Sequence, residues 1–158
     1  MVEVVTVSFR IVTDLPVPPE RAFALSLDVG AHERSLRRTG ERIVGGVASG
    51  RIRLGETVTF RARHLGVVWR LTSRITALDE PQRFVDEQVR GPFAAFRHEH
   101  RFEATVDGAG CRMTDVVVFR APLGPLGRIV ERLVLGRHME RIIRERNTSL
   151  AAELRAGA

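Results

Sequence analysis

The stretch Phe96-Arg97-His98-Glu99-His100-Arg101-Phe102 alternates between two kinds of side chain, and the fold assignment starts from it. A repeat of two residues is that of a β-strand whose faces differ. One face carries Arg97, Glu99, Arg101 and Glu103, which we expect in water because isolated buried charges are costly. The other face carries Phe96, His98, His100 and Phe102. Two inward histidines predict a polar-lined pocket, and the alternative is that each one bonds a neighbour inside the core.

The same period of two extends over about eighty residues around this strand. Turn residues divide the region into further strands, predicted at Thr57–His64, 67–78, Arg83–Arg90 and Cys111–Arg120. A strand over 3–13 precedes them, and a weaker one ends at Gly45-Gly46. The pattern predicts an antiparallel meander with one wet and one dry face.

Helical signals stand at both ends of this meander. Pro18-Pro19-Glu20 opens a first helix that ends near Gly30, and a second short helix is predicted over 31–38. The last segment has apolar residues at spacings of three and four, which predicts an amphipathic helix of roughly thirty residues. A helix of that length needs a large apolar surface, and we expect it on the concave side of the sheet.

Composition limits the class of protein. The 158 residues are expected to form one domain, 1–158, and contents of 44% hydrophobic and 28% charged residues are typical of a soluble globular protein. The single cysteine excludes an internal disulfide and favours a cytoplasmic location. No signal peptide is visible, and no apolar run is long enough to cross a bilayer, so no membrane insertion is expected.

The net charge of +6 raises the question of nucleic-acid binding. All 25 basic residues are arginine, which indicates a bias over the whole chain, and acidic residues are mixed among them. The arginines of the last segment, Arg146 included, are interpreted as a solvated helix face with Glu140 and Arg144 paired at i,i+4. No aromatic stacking platform accompanies the charges. We therefore expect no nucleic-acid partner.

This order of elements resembles the helix-grip fold of the START-like superfamily, also called SRPBCC or Bet v 1-like, and in particular its small bacterial ligand-binding branch. The motifs that carry the resemblance are Gly55-Glu56-Thr57-Val58-Thr59-Phe60, Arg63-His64-Leu65-Gly66, Pro81-Gln82-Arg83-Phe84-Val85-Asp86-Glu87, Gly91-Pro92-Phe93 with Phe96, His98 and Phe102, Thr114-Asp115, and Arg120-Ala121-Pro122-Leu123-Gly124. The resemblance implies an α+β fold with a curved antiparallel sheet of six to seven strands wrapped around a long C-terminal helix. Two short helices follow strand 1, and a cavity for small hydrophobic molecules lies between sheet and helix.

Strand parity and this resemblance together select the candidate site residues. The predicted acid–base groups are Asp86, His98 and His100, because a carboxylate beside an imidazole fixes its tautomer and raises its pKa. The alternative, which we favour, is that Asp86 and His98 form an internal hydrogen-bonded pair. The predicted ligand-binding residues are Phe60, His64, Trp69, Leu71, Ser73, Phe84, Gln88, Phe93, Phe96, Asp115, Leu126, Val130, Leu133 and Met139.

Other chemistries are weaker in the sequence. His-x-His on a strand puts two metal ligands on one face, but zinc needs a third or fourth, which His64 or Asp86 supplies only if the fold brings it close. The resembled cavity is usually metal-free, so we expect no metal and no cofactor. Neither Cys111 nor Ser73 has a base at a recognisable spacing, so no nucleophilic catalysis is expected.

Three functions remain open. The first is binding of a small hydrophobic molecule (a lipid, an isoprenoid or a polyketide-like compound), with polar groups holding one end. The second is a metal-free polyketide cyclase or dehydratase, a lyase-type enzyme that uses the acid–base groups. The third is a protein-interaction or regulatory domain with a vestigial cavity. We favour the first, in a monomer or homodimer, with enzymatic activity left open.

Overall fold

The double-histidine strand lies between two long neighbours in one antiparallel sheet. The computed structural model describes residues 6–120 and 134–157. The strands are β1 Val7–Leu15, β2 Arg42–Gly46, β3 Thr57–His64, β4 Val67–Asp79, β5 Arg83–Arg90, β6 Ala95–Ala104 and β7 Cys111–Arg120. Their order across the sheet is β1-β7-β6-β5-β4-β3-β2, with every neighbouring pair antiparallel. The seven-stranded curved sheet and the helix-grip fold predicted from the sequence are confirmed.

Two short helices follow β1. The first, α1, spans Pro19–Ser26 and has proline in its first turn, where a missing N–H costs nothing. The second, α2, spans Val29–Ser35, and a 3₁₀ turn follows at Arg37–Thr39. The second helix starts two residues earlier than predicted because Asp28 Oδ1 accepts a hydrogen bond of 2.7 Å from the Ala31 N–H and caps it.

The C-terminal helix α3 spans Gly136–Ala156 in the described residues, and the earlier part of the predicted helix lies outside them. One stripe of α3 is buried and comprises Met139, Ile142, Ile143, Arg146, Asn147, Leu150, Ala151 and Leu154. Arg146 was predicted on the solvated face, and this was wrong: it is 2% exposed. Arg146 is three and four residues after Ile143 and Ile142, and this helical spacing places it on the apolar stripe. The prediction from the mixture of acidic and basic residues did not take that spacing into account.

The outer face of β6 corrects a second expectation. Glu99 was predicted to be in water, but its side chain is only 7% exposed. Its carboxylate accepts hydrogen bonds from Arg83, Arg97 and Arg101 at 3.2, 2.7 and 2.7 Å. The three arginines cover the carboxylate and compensate its charge, which allows an acidic residue to be buried on the outer face.

Two apolar clusters fill the space between the sheet and the helices. Phe102 belongs to one, together with Phe23 and Leu150, and Phe96 belongs to the other, together with Met139. His98 and His100 lie on β6 between these two phenylalanines and are 5% and 3% exposed. A buried polar layer therefore separates the two halves of the core. None of the helices in the described ranges is long and apolar enough to span a membrane.

Candidate functional site

A cavity of about 130 Å³ lies between the inner face of the sheet, α2 and α3. Inner-face residues of β3 and β4 form one wall, and Met139, Ile142 and Ile143 of α3 form the opposite one. Most of the lining side chains are apolar or aromatic. The polar side chains at the wall are Ser26, Asp28, His32, Glu41, His64, Ser73, Asp86, His98, His100 and Arg146. This combination of apolar walls and convergent polar groups is typical of small-molecule sites.

The structure brings most of the predicted site residues to this cavity. Those that line it are Phe60, His64, Trp69, Leu71, Ser73, Phe84, Asp86, Phe93, Phe96, His98, His100 and Met139. Leu126, Val130 and Leu133 lie outside the described residues. Gln88 is not at the wall: its side chain bonds the backbone N–H and C=O of Phe93 and fixes the turn before β6. Asp115 is also set back from the wall, behind the histidines.

Asp115 is the centre of the polar layer. It lies on β7, is 0% exposed, and its Oδ1 is 2.7 Å from His98 Nε2 and 3.0 Å from His100 Nδ1. The contact with His98 is a hydrogen bond, whereas His100 Nδ1 is not aligned for one. The other oxygen of Asp115 accepts a hydrogen bond of 2.7 Å from Asn147 on α3. One carboxylate thus joins β6, β7 and the long helix.

Asp86 faces the two histidines from the opposite side. Its Oδ2 lies 3.1 Å from His100 Nε2 and 3.9 Å from His98 Nδ1. Asp86 and His98 are direct partners in the β5–β6 register, as strand parity suggested, but the hydrogen bond expected between them is absent. His98 Nε2 is instead bonded to Asp115, which the sequence separates from it by 17 residues. The imidazole rings lie 3.8 Å apart between the two carboxylates.

Residues of α3 complete the layer, and the sequence analysis missed them. Arg146 Nη1 donates to Asn147 Oδ1 at 3.1 Å and lies 3.8 Å from Asp115. Asn147 also donates to Thr13 Oγ1 on β1. The helical period could have indicated them, because it places Arg146 and Asn147 on an otherwise apolar stripe, and buried polar side chains need hydrogen-bond partners.

The pKa values in this layer follow from burial and from the facing charges. Burial lowers the pKa of His98 below its usual value and the adjacent His100 lowers it further, while the contacts with Asp115 and Asp86 oppose this shift without reversing it. Burial alone would raise the pKa of Asp115, but contacts with His100 and His98 outweigh it and hold that pKa well below the usual range. The pKa of Asp86 is lowered in the same way, mainly by its bond with His100. At neutral pH the site therefore holds two carboxylates and a neutral His98.

Two further polar pairs adjoin the cavity. His32 Nε2 lies 2.8 Å from Glu41 Oε1, and its ring packs on Phe60 at 4.4 Å. His64 Nδ1 lies 3.2 Å from Nε2 of His138 on α3. His32 and Glu41 were not predicted. His32 lies on the short helix α2 and Glu41 just before β2, so no strand parity indicates where their side chains point.

Cys111, considered as a nucleophile above, does not line the cavity. It is fully buried, and burial raises the pKa of its thiol to about 11. A thiol in that environment is protonated at neutral pH and inert.

Comparison with known proteins agrees with the fold. The sequence profile of the family described as "Polyketide cyclase / dehydrase and lipid transport" matches residues 6–155. The chain belongs to this family. No curated protein matches the sequence.

Solved structures share the fold of this polyketide cyclase/dehydrase and lipid transport family member at low sequence identity. TTHA0849 from Thermus thermophilus is 18% identical with a TM-score of 0.77, and the match covers 96% of this chain and 99% of that one. The Zhui aromatase/cyclase from Streptomyces sp. R1128 is 15% identical with a TM-score of 0.76, covering 95% and 94%. A START superfamily protein from Mycobacterium smegmatis is 10% identical with a TM-score of 0.68, covering 96% and 99%.

Proposed function

We propose that this protein binds a small hydrophobic molecule, of lipid, isoprenoid or polyketide-like character, in the cavity between the sheet and α3. The observation that carries the proposal is a cavity lined mostly by apolar side chains, with a cluster of polar groups at Asp86, His98 and His100. An apolar cavity of about 150 Å³ is large enough for benzene. The cavity therefore accommodates a ring-sized part of a ligand, with an oxygen of that ligand directed to the polar end.

Pairing among the polar groups favours binding over catalysis. His98 is bonded to Asp115 and His100 to Asp86, so both imidazoles already have partners without a substrate. Groups that satisfy one another hold a fixed surface against which a ligand oxygen can bond. The third function considered above, an interaction domain with a vestigial cavity, is less favoured, because the described side chains leave an open cavity of about 130 Å³.

Native mass spectrometry of freshly purified protein, followed by solvent extraction, tests the binding function. We expect one retained small molecule per chain, which the extract identifies as largely apolar with an oxygen function. The Ser73→Phe variant should not retain the small molecule, because the new phenyl ring would occupy the cavity. Arg74→Phe, the adjacent exposed residue on the outer face, is the matched control and should retain the molecule. Equal retention by both variants would contradict binding in the cavity.

A second candidate function is cyclisation or dehydration of such a molecule. It is favoured by Nδ1 of His98, which has no hydrogen-bond partner among the described residues and faces Asp86 at 3.9 Å. A neutral imidazole nitrogen in an apolar cavity is suited to accept a proton from a carbon beside a carbonyl group. If a substrate is found, His98→Ala and Asp86→Asn should both abolish turnover while the fold is retained. Unchanged turnover in both variants would exclude this role.

A further inference from the structure

We propose that Asp86, His98 and His100 form a binding site for a first-row divalent metal ion at the polar end of the cavity. The three side chains each offer one ligand atom, and these atoms lie within 4.8 Å of one another. This inference goes beyond ligand binding and beyond the family description, neither of which names a metal. The sequence alone did not support it, because β5 and β6 had to be paired before a third ligand could be assigned.

The ligand separations suit a metal ion. Asp86 Oδ2 is 3.1 Å from His100 Nε2 and 3.9 Å from His98 Nδ1. Ligand atoms about 2.1 Å from a common metal ion are separated by about 3.0 Å in octahedral and about 3.4 Å in tetrahedral geometry. The Asp86–His100 separation is already in this range, whereas the Asp86–His98 separation is longer, so the side chains would rotate to complete the site. All three ligand atoms lie within 4.8 Å of one another, and their residues line the cavity.

Asp115 supplies the outer support that metal-binding histidines need. Such histidines direct the far ring nitrogen to a carboxylate, which fixes the ring and its tautomer. The far nitrogen of His98 is hydrogen-bonded to Asp115 Oδ1 at 2.7 Å, and that of His100 lies 3.0 Å from the same oxygen without being aligned for a hydrogen bond. With Nε2–H of His98 donated to Asp115, its Nδ1 carries the lone pair that faces Asp86. Asp115 is in turn held by Asn147.

The charges also leave room for a cation beside Asp86. This carboxylate is 20% exposed and has no arginine within ion-pair distance in the ranges the structure describes. Among the described residues, its ion-pair partners are the imidazoles of His98 and His100, and the imidazole of His32 lies farther away. Within the described residues, the guanidinium that belongs to this layer is that of Arg146, which lies 3.8 Å from Asp115 and makes no ion pair with Asp86. A largely buried carboxylate without a permanent cation gains most from a bound one.

Two histidines and one carboxylate define the class of metal. Imidazole favours zinc, iron, cobalt, nickel and copper over magnesium and calcium, and three protein ligands leave coordination positions open. The open positions face the cavity, where a ligand oxygen would coordinate. The metal would then be the group that holds the polar end of the bound molecule.

Titration of the tag-free, chelator-treated protein with Co²⁺ tests the site, because the visible spectrum reports coordination number and ligand type. We expect one Co²⁺ per chain, displaced by Zn²⁺, and binding at least about 100-fold weaker in Asp86→Asn and His98→Gln. Asp115→Asn should weaken binding by about 10- to 100-fold without removing a ligand. His138→Gln is the matched control and should bind as the wild type does, since His138 does not line the cavity.

Two results would overturn the proposal. One is the absence of saturable Co²⁺ or Zn²⁺ binding to the folded wild-type protein at micromolar concentrations. The other is binding that survives in Asp86→Asn and is lost in His138→Gln, which would place the metal at the His64–His138 pair instead. The comparison of Asp86→Asn with His138→Gln remains informative even if His98→Gln fails to fold. Ligand retention in the mass spectrometric experiment is a separate result, so the two proposals fail independently.

Discussion

Asp115 is the residue on which the polar layer of the core depends. It is fully buried, and its two oxygens contact His98, His100 and Asn147. Removal of one member of a buried charged network costs about 3–5 kcal/mol, because the partners lose their compensation. We predict that Asp115→Ala lowers the free energy of unfolding by about that amount in urea titrations. Asp14→Ala, at an exposed aspartate paired with Arg112, should change it far less, because exposed ion pairs contribute little to stability. Similar losses in both variants would contradict the central role of Asp115.

His98 makes stability depend on pH. Burial lowers the pKa of His98 in the folded state, so between that value and about 6.5 the unfolded chain binds more protons than the folded one. Stability therefore falls as pH decreases below about 6.5. Burial lowers the pKa of His64 and of His138 too, and both act in the same direction.

The contribution of His98 can be isolated by substitution. We predict that His98→Gln shows a smaller loss of unfolding free energy between pH 7.5 and 5.5 than the wild type, measured by urea titration at each pH. The lowered pKa values of Asp86 and Asp115 add a further loss only at more acidic pH, where those carboxylates take up protons. If the free energy of unfolding falls by the same amount between pH 7.5 and 5.5 in His98→Gln and in the wild type, His98 is not held neutral in the folded state.

At the scale of the element, β6 shows that alternation of polar and apolar residues predicts the direction of a side chain but not its exposure. The period of two placed Phe96, His98, His100 and Phe102 on the inner face, and all four are buried there. The same period placed Glu99 on the outer face, but burial on that face depends on Arg83 of the neighbouring strand. The alternating pattern determines to which face of the sheet a side chain points. Its exposure also depends on the residues of the neighbouring strands that lie beside it, and the pattern does not contain that information.

Glu99 supports a prediction for this strand. Burial would raise the pKa of Glu99, but hydrogen bonds from Arg101 and Arg97 outweigh it and lower the pKa to about 2. Its charge therefore stabilises the fold above about pH 4.5, and this contribution is lost as pH falls toward 2. We predict that Glu99→Gln lowers the free energy of unfolding by about 1–2 kcal/mol at pH 7 and has little effect near pH 2. Glu103→Gln, four residues further along β6 and exposed, should be neutral at both pH values. A loss that is independent of pH would contradict the ion-pair account.

The helix α3 shows a related limit. The spacing of its apolar residues predicted that the helix lies on the sheet. The same buried stripe also includes the polar residues Arg146 and Asn147. Their partners, Asp115 and Thr13, lie 31 or more residues away along the chain. The sequence could therefore predict a buried polar residue on the helix but not the carboxylate that it meets. The candidate cavity was predictable from parity, and its polar connections required the fold.

At the scale of the whole molecule, Cys111 provides a probe of the folded state. It is the only cysteine, lies at the start of β7, and its pKa is raised to about 11 by burial. We predict that a thiol reagent labels it only when β7 leaves the sheet, at a rate that follows the unfolding equilibrium as urea is added. Rapid labelling of the native protein would show that this edge of the core opens locally.

Binding in the cavity is the central claim, and Trp69 allows it to be measured at equilibrium. It is the only tryptophan, tyrosine is absent, and its side chain lines the cavity. Titration with cyclohexanone, a transparent ring-sized ketone, should change the Trp69 emission along a saturating 1:1 curve. The affinity should be at least about 10-fold weaker in Ser73→Phe and unchanged in Arg74→Phe, because only the first substitution fills the cavity. A response without saturation, or one identical in wild type and Ser73→Phe, would contradict a ligand-binding cavity in this protein.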